Sequence, residues 1–175
     1  LAPSGGYSFS FSSSIAESET FFQNAIVPTT QQFHAISQIL HATNTLLYGS
    51  AGTGKTLIGV EVLSRRSKSE TRSLFFCCSD PLSKSLQQTV ATKLSCVDFH
   101  SLSSFTLFLL DLANSLELNI NRPSSLSHLT TLIATHSSFR YATIVIDEMQ
   151  DLDEDFVLAL RSLTDNGGLF LVLYD

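Results

Sequence analysis

Residues 45–56 read Thr45-Leu46-Leu47-Tyr48-Gly49-Ser50-Ala51-Gly52-Thr53-Gly54-Lys55-Thr56, and an apolar helical pattern runs on from Leu57 to about Arg66. From Gly49 to Thr56 the chain satisfies G-x-x-x-x-G-K-[ST], between a strand-like run and a helix, the context that such a loop requires. Glycines at these positions let backbone N–H groups turn inward around a phosphate, and the helix N-terminus behind them adds positive potential. Gly49, Ser50, Ala51, Gly52, Thr53 and Gly54 are therefore the expected cradle. Lys55 would reach the β- and γ-phosphates, and the Thr56 hydroxyl would ligate Mg²⁺. A nucleoside triphosphate with Mg²⁺ is the ligand this chemistry implies.

Outward from the loop, strand-like and helical patterns alternate. Thr30 is placed to cap a helix from Gln31 to about His41. Beyond Arg66 come an apolar run at Leu74–Cys78, a helix from about Leu82 to Leu94, and a short strand at Val97–His100. Leu102, Phe105, Phe108, Leu109, Leu112 and Leu116 then recur at helical spacing. After a polar loop containing Pro123 and a short helix near Leu126–Thr135, Ala142–Ile146 is the most strand-like run in the chain. Asp151–Leu163 reads as helix, with acidic residues in its first turn, and Leu169–Tyr174 as a last strand. Apolar strands alternating with helices predict an α/β fold, a mostly parallel sheet with helices on both faces. Before Pro28 the chain is Ser/Gly-rich: Tyr7, Phe9 and Phe11 alternate with serines, and Ser14-x-x-Glu17 reads as a capping box opening a helix to about Asn24. Residues 1–27 are thus expected to be a linker or the tail of a preceding domain, and residues 28–175 the folded domain.

Composition bounds the rest. The 175 residues suit one domain with its own core; 43% are hydrophobic and only 15% charged, which excludes a disordered chain. A net charge of −6 and a pI near 5.2 argue against holding nucleic acid by bulk charge. The longest charge-free apolar runs fall far short of the ~20 residues of a membrane span. Cys77, Cys78 and Cys96 give neither a disulfide framework nor metal-ligand spacing, so a reducing, intracellular setting is expected. The start at Leu1 and the stop at Asp175, directly after an apolar run, suggest a piece of a longer protein.

A second motif completes the chemistry. Ile144-Val145-Ile146-Asp147-Glu148 ends a strand in two carboxylates, at the sheet edge where ligands of open α/β folds bind. Asp147 would hold Mg²⁺ through water, and Glu148 would polarise the attacking water as general base. No N-K-x-D base-reading motif is present, which disfavours a GTPase.

Asp147-Glu148-Met149-Gln150-Asp151-Leu152 resembles the D-E-x-Q-D motif II of superfamily 1 helicases of the UvrD/Rep/PcrA type. Gln31-Gln32-Phe33-His34-Ala35-Ile36 is similar to the upstream Q-motif of that family, whose glutamine reads adenine; the spacing favours Gln32 over Gln31. Phe75 to Ser83 resembles motif Ia, and Asp98-Phe99-His100-Ser101-Leu102 resembles motif Ib, with Asp98 where Thr is usual. Leu171-Val172-Leu173-Tyr174-Asp175 looks like the opening of motif III, with Tyr174 in place of Gly. The resemblance covers about residues 28–175 and implies a P-loop NTPase, RecA-like domain 1A cut off at motif III. It implies ATP with Mg²⁺, catalytic roles for Lys55, Glu148 and Gln150, and translocation on single-stranded DNA, with RNA as the alternative. Gln150 would sense the γ-phosphate, since an amide both donates and accepts. Phe99 and His100 could offer a base a stacking face, while a core position is the favoured reading for Phe99.

The departures are informative. Only 92 residues separate Lys55 from Asp147, leaving no room for a large 1B insertion. Motifs IV–VI and a second RecA-like domain, which would supply an arginine finger worth ~10³–10⁵ in rate, are missing, so the piece alone is expected to hydrolyse slowly. Six of ten Lys/Arg residues (Arg65, Arg66, Lys68, Arg72, Lys84 and Lys93) crowd one stretch, a candidate basic surface. The competing expectation is an AAA-like signalling ATPase switch that moves no strand.

Overall fold

Leu74, Phe75 and Phe76 are apolar in succession, yet they serve two different cores. Successive strand residues point to opposite faces, so an unbroken apolar run means a strand covered on both sides. The computed structural model, which describes residues 28–67, 71–90, 93–118 and 125–175, has that arrangement. Five strands form one sheet: β1 (Asn44–Tyr48), β2 (Ser73–Cys77), β3 (Val97–Ser101), β4 (Tyr141–Asp147) and β5 (Thr164–Tyr174), in spatial order β1-β5-β4-β2-β3. Every pairing is parallel. Helices α1 (Thr30–Ile39), α2 (Lys55–Arg66) and α3 (Asp80–Val90) cover one face, with Ile36, Val62, Leu63 and Leu86 packed on Phe75, Val145 and Leu171. Helices α4 (Leu102–Ser115), α5 (Leu126–His136) and α6 (Glu154–Ser162) cover the other, with Phe105, Leu109, Ile133 and Leu160 on Phe76, Ile144 and Ile146. Each fully buried Leu or Phe contributes about 1.5–3 kcal/mol through lost apolar exposure. The fold class read from the sequence is the one observed.

Element boundaries shift for local reasons. The helix expected from Gln31 begins at Thr30 because Thr29, not Thr30, is the cap: its hydroxyl accepts from Gln32 N while the Gln32 side chain accepts from Thr29 N. The helix expected from Leu82 starts at Asp80, since Pro81 is tolerated in a first helical turn and Ser79 Oγ accepts from Leu82 N. The segment read as one helix from Asp151 divides into a 3₁₀ turn (Met149–Asp151) and α6, which Asp153 caps. The last strand is longer than Leu169–Tyr174, because β5 starts at Thr164 and jumps register opposite Tyr141–Thr143. Gly59 sets how closely α2 lies on the sheet: a Cβ there would meet Val145 Cγ1 at 3.0 Å and Leu173 Cδ1 at 3.1 Å. The Tyr7–Phe11 alternation, the Ser14–Glu17 capping box and helix to Asn24, Lys68 and the Pro123 loop lie outside the described residues. No helix among the described residues is long and apolar enough to cross a membrane.

Candidate functional site

All the parallel strands point their C-terminal ends the same way, so the residues just past Tyr48, Cys77, Ser101 and Asp147 share one edge of the sheet. β1 leads into the Gly49–Gly54 loop there, and Gly49 N donates to Tyr174 O, tying the loop to the end of β5. Inside the loop, Thr53 N and Thr53 Oγ1 both donate to Ser50 O, at 3.3 and 2.8 Å. Gly54 is the residue before α2 and has φ 86°, a left-handed conformation that side chains with a Cβ resist. The cradle thus opens directly onto the N-terminus of α2.

Lys55, the first residue of α2, is only 8% exposed. Its Nζ donates to Gly49 O (2.6 Å) and Ser50 O (3.2 Å), and pairs with the Asp175 carboxylate. Thr56 Oγ1 donates to Asp147 Oδ2 at 2.6 Å. The hydroxyl and the carboxylate assigned to Mg²⁺ from the sequence are therefore in contact across 91 positions of chain. Asp147 is 1% exposed, and burial pushes its carboxyl above the usual range against the opposing Thr56 hydrogen bond. A buried carboxylate beside a hydroxyl at the mouth of a phosphate loop is the hard-oxygen donor set Mg²⁺ takes, so these residues fit the ion. Bound there, Mg²⁺ would neutralise phosphate charge.

Glu148 follows in a left-handed conformation (φ 58°, ψ 49°), an uncommon state for a residue with a Cβ that turns its side chain out of the strand line. Glu148 Oε2 accepts from Gln150 Nε2 at 2.5 Å, and Gln150 Oε1 accepts from Asp175 N at 3.5 Å. The structure brings Lys55, Thr56, Asp147, Glu148 and Gln150 together. Asp175, to which the sequence assigned no role, joins them; its position in the motif III-like stretch was the available signal.

Gln32 sits against the loop, while Gln31 is exposed. Its amide is already engaged, accepting from Thr29 N at 2.9 Å and donating to Thr53 O at 3.0 Å. In this state it braces the loop, and contact with a base would require it to exchange partners. The S/T-x-x-Q spacing of Thr29 and Gln32 was the signal for this bracing. A cavity of about 260 Å³ opens beside it, lined by Pro28, Ile36, Leu57, Val60 and Lys93 among others.

A family model described as an AAA domain matches residues 39–174. The chain belongs to this family. As an AAA domain it is a P-loop ATPase, and ATP with Mg²⁺ is the ligand pair such domains generally use. No curated protein matches the chain.

One sequence expectation changes in the folded AAA domain, and a second is resolved. The basic stretch is not one surface. Arg66 donates to Leu40 O and Thr143 Oγ1, Arg72 lies over the Phe139 ring, and Arg65 pairs with Glu61, all toward the sheet edge opposite the phosphate loop. Lys84 lines a groove beside β3, and Lys93 the cavity under α1. Phe99 takes the core position favoured from the sequence: it is 4% exposed and packs on Phe75 at 5.9 Å. His100 is part-buried against Phe108 at 5.0 Å, and burial lowers its pKa, so it is neutral near pH 7.

Proposed function

We propose that this AAA domain is the ATP-hydrolysing motor domain of a superfamily 1 helicase, which translocates on single-stranded nucleic acid, DNA in preference to RNA, and separates strands. The observation that carries the reading is strand register. Asp147 pairs with Cys77, and Cys77 with Ser101, so the ends of the motif II-, Ia- and Ib-like segments are consecutive across the sheet. At about 4.8 Å per strand, Ser101 lies roughly 10 Å from the buried carboxylate. Between the Ia- and Ib-like segments runs a groove of about 360 Å³, lined by Asp80, Lys84, Gln87, His100, Ser101 and Ser103 among others. Hydroxyls, an amide and an ammonium are groups that bond sugar-phosphate oxygens and base edges. Asp80 bears the one carboxylate of that lining, and hydroxyl hydrogen bonds from Ser101 and Ser103 hold it below the usual carboxylate range.

In this reading Lys55 neutralises charge developing on the γ-phosphate, Glu148 orients and deprotonates the attacking water, and Gln150 reports phosphate loss toward the groove. A second RecA-like domain would complete the site with an arginine, which supplies ~10³–10⁵ in rate. The family match favours a second reading, an AAA-type switch that hydrolyses ATP without moving along a polymer. ATPase rates of the protein with and without single-stranded DNA or RNA separate the two. Stimulation by polymer is expected; its absence with both, at measurable basal hydrolysis, refutes the motor. Lys55→Ala should lose nucleotide binding, whereas Glu148→Gln should keep binding and lose turnover.

A further inference from the structure

An ammonium has three N–H bonds to give, and in Lys55 all three are taken. Two go to the loop carbonyls of Gly49 and Ser50, and the third to the Asp175 carboxylate, 120 positions away. The two carbonyls are fixed in the backbone of the loop. Asp175 differs: its side chain rotates, is 32% exposed, and stands at the end of β5, between the phosphate-loop strand β1 and the carboxylate strand β4. Its own N–H reaches Gln150, whose amide in turn holds Glu148. Lys55, Asp175, Gln150 and Glu148 therefore form one continuous chain of contacts.

We propose that Asp175 is an internal stand-in for the terminal phosphate, a latch that occupies Lys55 until a polyphosphate displaces it. The inference rests on the ATP-site reading above and adds to it a positioning residue that sets how readily the phosphate site fills. Lys55 has no fourth donor, so an arriving phosphate oxygen must replace one of its acceptors, and only the carboxylate can swing away. Once phosphate is in place the two anions repel, which keeps the latch open. The backbone N–H of Asp175 stays with Gln150 Oε1 as the side chain turns, so the latch acts on Lys55 alone. A nucleoside without phosphates carries nothing that competes for Lys55 and leaves the latch closed.

The test measures binding of inorganic tripolyphosphate, ATP and adenosine to the full chain by calorimetry. Asp175→Asn should bind tripolyphosphate and ATP about tenfold more tightly, the scale of one charge-assisted hydrogen bond, with adenosine unchanged. Asp175→Glu, which restores the charge, should return affinity toward the starting value. Asp165→Asn, which removes the same charge from an exposed position at the far end of β5, should give no gain; an equal gain there reflects net charge alone and overturns the proposal. Unchanged or weaker tripolyphosphate binding by folded Asp175→Asn also overturns it. Should Asp175→Asn melt below the assay temperature, Asp175→Ser carries the same comparison. Failure of the unaltered chain to bind either ATP or tripolyphosphate defeats the ATP-site reading first, and the latch with it.

Discussion

Gly54→Ala tests how the phosphate loop is held. Two separate costs are legible at this position. Gly54 has φ 86°, and a residue with a Cβ pays about 1–2 kcal/mol for a left-handed conformation. Its Cβ would also stand 2.7 Å from Gln32 Nε2, a separation that packed atoms do not sustain, so the amide must leave Thr53 O. Losing that hydrogen bond costs about 0.5–1.5 kcal/mol. The expected loss is therefore about 1.5–3.5 kcal/mol, and a domain of this size loses about 2–4 °C of Tm per kcal/mol. The cycle with Gln32→Ala isolates the second cost. Gln32→Ala alone forfeits the bond to Thr53 O; adding Gly54→Ala to it then costs only the backbone term, because no side chain remains to collide. Urea unfolding of the four proteins should give a coupling of about 0.5–1.5 kcal/mol. Strict additivity would show that Gln32 does not brace the loop and would refute the reasoning.

Three further outcomes follow from burial and charge. Burial raises the Asp147 carboxyl above its unfolded value, so its folding contribution is present at low pH and lost as pH rises through the folded-state pKa. Asp147→Asn should accordingly raise Tm at pH 7, by a margin that shrinks toward pH 4, while abolishing hydrolysis; a lower Tm at pH 7 contradicts this. The Cys77 thiol is buried and pushed up to about 12, so at pH 8 a thiol reagent should label it only on unfolding, which mass spectrometry of the modified peptides reads directly. Phe105→Ala, which leaves a cavity among Phe76, Phe108 and Phe156, should cost about 3–5 kcal/mol in urea unfolding, and a loss below 1 kcal/mol would show that this core is not tightly packed.

Residues whose chemistry is local were readable in the chain, and residues whose role depends on distant partners were not. The loop from Gly49 to Thr56 announces itself because each position answers to its own neighbours: glycine where φ is positive, lysine and threonine where a helix begins. The double-faced strands were legible for the same reason, since Leu74–Cys77 and Ile144–Ile146 carry no polar residue that would mark a wet face. Arg66 misled because spacing says what could share a surface but not which face of the sheet, or which end of it, a side chain meets. Arg66 is consumed by Leu40 O and Thr143 Oγ1, partners on α1's end and β4 that no local pattern reveals.

Asp175 shows why that boundary falls inside the site itself. Its contact with Lys55 exists only because β5 inserts between β1 and β4, an order that sets the first strand beside the last. The insertion puts the end of the last strand over the first loop, and one residue then meets Lys55 with its carboxylate and Gln150 with its backbone N–H. The motifs supply the groups that handle phosphate; the strand order supplies the connection between them. A permuted sheet with the same motifs would retain a cradle and a pair of carboxylates, and it would place no strand-end carboxylate beside Lys55.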